Sequence, residues 1–361
     1  MTAPVKRRGA VVQGLVVFGK PPLLGHFGLL VLALVCLVTV GKGQPAQYLF
    51  DVAPPAGALG LLRPSSVYFD PRQEEIYIAD TGNNRVVIFD KNGNYVFEFS
   101  DYRHLSAPEQ IAVDSLGRIF VLSSSRREKL AVFDYNGTFL HDLVPTEYWM
   151  SFPFSDSTLA ISSFLLDERD GLFVLRSRPA HVYVYTSDGQ PLYEFPLFEG
   201  MKAEIREQPL LGNLALVNGT LVIPMPMFSQ VARYTKRGKF IDIFGFLGGG
   251  RGELGFPIAA AADGQGGILV LDKHRHAILQ FRDDGSFVRE VGGMGSGPGW
   301  FYHPRSLAVN EDGQCYVAQT FMSRVQAVQV VSGDVSRGDE NVDAQAQSLL
   351  ASPEATQQEK Q

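Results

Sequence analysis

Seven histidines, His26, His104, His141, His181, His274, His276 and His303, are the side chains of this chain best suited to metal or proton-transfer chemistry. His274 and His276 flank Arg275, and an alternating imidazole pair can fill two corners of a zinc tetrahedron. No third or fourth ligand falls at a matching spacing. The pair therefore reads as loop histidines, with no catalytic residue, no metal and no cofactor expected. Cys36 lies in an apolar N-terminal run and Cys315 is the only other cysteine. That excludes a disulfide or a cysteine zinc cluster within the folded part. There is no GxSxG elbow, GxxxxGK[ST] phosphate loop or CxxCH haem site. What remains is a set of bases and aromatics suited to binding, and their meaning depends on the elements that carry them.

Those elements repeat. Aromatic anchors at Phe89, Phe133, Tyr185, Tyr234 and Phe281, with Val328 sixth, are spaced by 44, 52, 49, 47 and 47 residues. A glycine follows four residues after each of the first five: Gly93, Gly137, Gly189, Gly238 and Gly285; Ser332 takes the sixth place. Prolines 64, 108, 153, 209, 257 and 304 open the units. Each unit holds four short apolar strands divided by turn residues, with Gly supplying the positive φ of the last hairpin. Four-stranded units at this period are propeller blades, each burying its faces against its neighbours. The sequence thus predicts an all-β, six-bladed propeller with four-stranded antiparallel blades over 44–331. The sixth unit lacks a fourth strand, and YLFDV at 48–52 is spare, so this N-terminal strand is expected to close the ring.

The chain has 361 residues, 19% of them charged, with a formal net charge of −6. Residues 1–43 carry five bases and no acid, and Leu23–Val40 is an 18-residue run without a charged side chain. Such a segment reads as a signal peptide or a transmembrane anchor, preceded by four bases and followed by one. Either reading places the bulk outside the cytoplasm, in the periplasm or at the cell surface of a bacterium. Residues 332–361 carry six acids and two bases and few large apolar side chains, the composition of a disordered tail.

DTGNNRVVIFD at 80–90 and the glycine-rich connectors FGFLGGGRGELGFP (244–257) and VGGMGSGPGWFYHP (291–304) resemble NHL repeats. The resemblance spans 48–331 and implies a six-bladed propeller. It implies little about activity, since that family includes protein- and RNA-binding modules and a peptide-processing lyase. The lyase branch holds its metal with histidines from several blades. Here His303 precedes the blade-six proline, but its counterparts are Arg63, Ala107, Phe152, Gln208 and Phe256, so that ligand set is incomplete.

In antiparallel blades the loops between strands two and three share a face with the blade connectors. Those loops carry Arg85, Arg126, Arg127, Lys129, Arg176, Arg178, Lys273, Arg275 and Arg324, with His181, His274 and His276. The connectors add aromatics, among them Phe246, Trp300 and Tyr302, beside His303. The turns between strands one and two are mostly acidic. One basic, aromatic-rich face and one acidic face are expected. The uncharged blade-four loop PMPMFSQ (224–230) forms an apolar notch in the basic ring. The segment 44–331 has a net charge of −7, which argues against nucleic acid as the partner. The function expected is a non-catalytic binding platform for a protein or an anionic ligand such as a glycan or lipid headgroups, with the membrane also engaged through the N-terminal segment. The alternative is a metal-assisted lyase or hydrolase at the channel mouth near His303.

Overall fold

A computed structural model describes residues 44–143, 160–201 and 210–330. The segments 1–43 and 332–361 lie outside the described residues, as do Pro153, Pro209, Phe152 and Gln208. Twenty-four strands form six antiparallel four-stranded sheets. Blade one is β2 (Ser66–Asp70), β3 (Glu75–Asp80), β4 (Arg85–Asp90) and β5 (Tyr95–Ser100). Blades two to five follow as β6–β9 within 108–143, β10–β13 within 163–196, β14–β17 within 215–244 and β18–β21 within 257–292. Blade six is β22 (Ser306–Val309), β23 (Gln314–Gln319) and β24 (Arg324–Gln329), completed by β1 (Gln47–Val52). Tyr48 pairs with Val328 and Val52 with Val325, so the spare N-terminal strand closes the ring as expected. Among the described residues no helix is long and apolar enough to cross a membrane.

The core is not central. It divides into six clusters, each shared by two neighbouring blades. The repeat's signature residues lie at these junctions. Each anchor aromatic packs against the preceding blade; Phe133 meets Phe99 with ring centroids 5.1 Å apart, and Phe281 meets Phe244 at 5.1 Å. The glycine four residues on adopts φ of +77° to +84°. A Cβ there would run into the preceding blade's outer strand: Phe50 at Gly93, Phe99 at Gly137, Phe195 at Gly238 and Phe244 at Gly285. The glycine is therefore required twice, by its left-handed backbone and by the close approach.

The inner strands β2, β6, β10, β14, β18 and β22 line a central channel holding a cavity of about 310 Å³, its walls rich in alanine, leucine and valine. The face carrying the blade connectors and the loops between strands two and three is called the connector face below.

Candidate functional site

The channel opens on the connector face through a ring with one residue from each blade: Ser65, Glu109, Ser162, Gly212, Ile258 and Arg305. The backbone N–H groups of Ser65, Ser162, Gly212 and Arg305 donate to carbonyls of their own second strands (Ala79, Leu175, Pro224 and Ala318) at 2.8–3.1 Å. Glu109 and Ile258 sit at register shifts in the equivalent place. Bulges of this kind re-aim side chains at sheet ends. The ring and its surroundings enclose a cavity of about 230 Å³. Its walls are apolar on the side of blades four and five, from Leu210, Leu211, Pro226, Phe256 and Ile258. Arg127 donates to Glu109, so these two opposite charges neutralise each other across blade two. Arg305 is exposed, and its guanidinium has no hydrogen bond or ion pair among the described residues. His303 does not line this cavity, whereas Phe256, its counterpart in blade five, does.

The bases expected to make the connector face basic are largely spent within their own blades. Arg85 is 4% exposed and bonds Asp80 and Glu98, each at 2.7 Å. Its other donors reach the carbonyls of Leu59 and Gly60 in the connector. Arg126 and Lys129 share Asp142, and Arg275 bonds Glu290 at 2.7 Å. In blade four the mid-strand Arg233 takes the same kind of partner, Asp242. Arg324 bonds the carbonyls of Ser296 and Trp300 and the side chain of Gln319. Arg176 is buried beneath Tyr183, its guanidinium carbon 5.0 Å from the ring centroid. Of these bases only Arg178 and Lys273 have side chains with no hydrogen bond, ion pair or ring contact among the described residues; Arg178 is exposed and Lys273 half-buried. Two corrections follow. Arg85 is an internal strut and Arg176 is buried under an aromatic ring, so neither is presented to a partner. The face is also far less basic than its loops imply, because outer-strand acids lie against it.

Those acids have their own periodicity. Glu98, Asp142, Glu194 and Glu290 each stand nine residues after their blade's anchor, and Asp242 stands eight after its own. On the opposite face the acidic turns are also locally satisfied. Asp114 accepts from the N–H groups of Leu116 and Arg118, and Asp263 from those of Gln265 and Gly267. Arg72, Arg118 and Lys236 pair with Asp70, Asp114 and Asp167.

His276 is a further correction. Its φ of +57° places it with Asn84 (+52°), Ser229 (+53°) and Ser323 (+50°), which end the same loop in blades one, four and six. Asn84 Oδ1 accepts from the Ala107 N–H at 2.7 Å, and Ser323 Oγ from the Arg63 N–H at 3.1 Å. His276 Nδ1 accepts from the His303 N–H at 2.9 Å. In each case the side chain caps the left-handed residue before the next blade's proline. His276 is thus a buried inter-blade cap. Burial, then the neighbouring His303 and His274, holds its pKa below the ordinary imidazole value, which keeps Nδ1 an acceptor.

His303 and Tyr302 are half-buried against this cap, with ring centroids 4.6 Å and 5.8 Å from His276. Phe321 completes the cluster. His274 is exposed and stacks on Phe256 at 4.5 Å, and Trp300 is half-buried at the blade-six connector. His181 is held down to about 4 by burial and then by Arg176; Glu194, 3.6 Å away, is itself pushed up by burial. Two imidazoles do converge near blade six, but among the described residues no group of three or more His, Cys, Asp or Glu is placed to hold a metal ion.

The connector face also exposes large apolar side chains. Of nineteen large exposed hydrophobic side chains among the described residues, nine lie on this face and two, Leu116 and Tyr135, on the opposite one; the rest lie on outer strands. Seven of the nine follow one arc through consecutive blades: Met227 (blade four), Phe246 and Leu247 (four to five), Met294 (five to six), Phe321 (six), and Leu59 and Leu62 (six to one). They are 44–75% exposed. Met227 belongs to the expected notch and Phe246 to the expected aromatics. Leu59, Leu62, Leu247, Met294 and Phe321 were not anticipated, and the connector aromatics Phe301 and Phe198 are buried instead.

Comparison with known proteins agrees with this architecture. Residues 61–89 match the NHL repeat family, and 260–330 match a family described as a 6-bladed beta-propeller. The RING finger protein nhl-1 of Caenorhabditis elegans is 33% identical over 79 residues, 22% of this chain and 8% of that protein. The Drosophila melanogaster protein brain tumor is 25% identical over 128 residues, 34% of this chain and 11% of its own length. The chain thus matches only a small part of these relatives. Among solved structures, a streptogramin B lyase superposes with a TM-score of 0.54 at 12% identity, covering 79% of this chain and 98% of that one. A gluconolactonase from Xanthomonas campestris gives 0.55 at 14%, covering 81% and 99%. A luciferin-regenerating enzyme gives 0.56 at 11%, covering 78% and 96%. At such identities the likeness is one of fold.

Proposed function

We propose that this NHL-repeat propeller is a non-catalytic binding platform that holds a protein partner on its connector face. The observation that carries the reading is the apolar arc from blade four to blade one. Surface apolar residues scattered singly need no explanation, but an excess gathered on one face marks an interaction site. Aromatic side chains and methionine are enriched at interfaces relative to the rest of the surface, and methionine suits adaptable contacts. The bases at the blade rims are tied to Glu98, Asp142 and Glu290, so they frame the arc and hold its connectors. We place the platform outside the cytoplasm, on the strength of the basic, acid-free segment 1–43 and its uncharged run at 23–40.

The test is a pair of charges in the arc. Phe246→Glu with Phe321→Glu should leave the melting temperature within about 2 °C of the parent, since both rings are exposed. Partner recovery after cross-linking in native membranes should fall at least tenfold. A stably folded double variant that recovers the same partners in the same amounts would sink the reading.

A further inference from the structure

The channel mouth is a site in its own right, apart from the arc. We infer that it binds the carboxylate of a ligand with an apolar body, with Arg305 as the anion's partner. The argument rests on the ring that forms the mouth. Five of its six positions are small, apolar or already neutralised: Ser65, Ser162, Gly212, Ile258, and Glu109 bonded to Arg127. The sixth, Arg305, lines the same cavity, and its guanidinium has no partner among the described residues. A guanidinium offers five donors in a planar fork that matches a carboxylate.

Charge and shape narrow the ligand. The mouth's ionised groups, Arg305, Arg127 and Glu109, leave a balance of one positive charge. That suits a monoanion better than a dianion. The Gln110 amide is spent on the backbone of Phe164, and Ser162 and Ser177 bond each other at 2.7 Å. Asn213 lines the cavity with an amide that has no partner among the described residues, and it can supply a second donor. Beside Arg305 the wall is Phe256 and Ile258, continued by Leu210, Leu211 and Pro226. A carboxylate on Arg305 therefore directs its organic body onto this apolar side. A few precisely placed polar groups in an otherwise apolar concavity are the usual composition of a ligand site. The two sources of such a group are a small organic acid and the C-terminus of a peptide ending in an apolar residue.

The probes are 4-phenylbutanoate and N-acetyl-Ala-Leu-Phe, each as acid and as primary amide, titrated by saturation-transfer NMR and calorimetry. Both acids should bind at least tenfold more tightly than their amides. Arg305→Gln should erase that preference and Arg305→Lys should keep part of it. Arg178→Gln, an exposed base on the same face but outside the cavity, should change nothing. Tighter binding of the tripeptide acid assigns the site to a chain terminus; tighter binding of 4-phenylbutanoate assigns it to a free acid. Failure of both acids to bind, equal binding of the amides, or acid preference surviving Arg305→Gln would each overturn the inference. None of these variants touches the apolar arc, so failure here leaves the platform reading standing, and the reverse.

Discussion

Replacing Arg85 by Met tests whether the rim bases are struts or binding groups. Arg85 and Asp80 are 4% and 0% exposed and meet at 2.7 Å. The arginine also holds Glu98 and two connector carbonyls, while Asp80 receives the Leu62 N–H at 2.7 Å and the Asn83 amide. Methionine keeps the length of the side chain and removes the charge. Asp80 then remains buried with two donors instead of three. Removing one partner of a buried ion pair costs about 3–5 kcal/mol, because the other charge is left uncompensated. At roughly 2–4 °C per kcal/mol for a domain of this order of size, the melting temperature should fall by on the order of 10 °C. Glu98 is 36% exposed, so Glu98→Gln should cost less than about 1 kcal/mol. Adding Asp80→Asn to Arg85→Met should recover part of the loss, since the stranded charge is then gone. Differential scanning calorimetry of the four proteins decides the matter. If Arg85→Met melted within about 2 °C of the parent and still lost partner binding, Arg85 would be a contact residue and the strut account would be wrong.

Three further outcomes are expected. His276→Asn should be nearly neutral in thermal melts, because Asn84 caps the same position in blade one, whereas His276→Leu should cost about 1–3 kcal/mol by leaving the His303 N–H unpaired. Gly137→Ala and Gly189→Ala both force alanine to positive φ, but the added Cβ collides with Phe99 at Gly137 and only touches Leu143 at 3.4 Å at Gly189. Gly137→Ala should therefore unfold at lower urea by about 1–3 kcal/mol more than Gly189→Ala. His181, held near 4, stays neutral in the folded state where an unfolded imidazole of ordinary pKa near 6.5 takes up a proton. Between those values the unfolded chain binds more protons, so stability is full above about pH 6.5 and declines as pH falls towards 4, by on the order of 3 kcal/mol. His181→Phe should flatten that part of a stability–pH curve measured by urea denaturation.

The fold was legible because its constraints are local and repeated. The aromatic and the glycine four residues later are two sides of one blade junction, as Phe133, Gly137 and Phe99 show. Ring closure followed from a strand missing in blade six and a spare one at 48–52. The site was less legible, for a physical reason at each point. Sorting charges by loop found the arginines and omitted the acids eight or nine residues past the five aromatic anchors, because those acids sit on strands. Their even spacing was a usable signal. His276 looked like half of a metal pair, since its kinship with Asn84 and Ser323 lies in backbone conformation and not in residue type. The exposure of Phe246 against the burial of Phe301, both in glycine-rich connectors, depends on how each connector folds over its blade. The mouth draws one residue from each of six blades, and no stretch of sequence contains it.

The central claim is that the connector face, through its apolar arc, meets a protein. The most direct measurement places a photo-crosslinking amino acid at Phe246, at Phe321 and, on the opposite face, at Tyr135, in the full chain in its native cells. The account predicts one partner band at Phe246 and Phe321, none at Tyr135, and loss of the Phe321 band when Phe246 is replaced by Glu. Adducts of equal yield on both faces, or at Tyr135 alone, would contradict it.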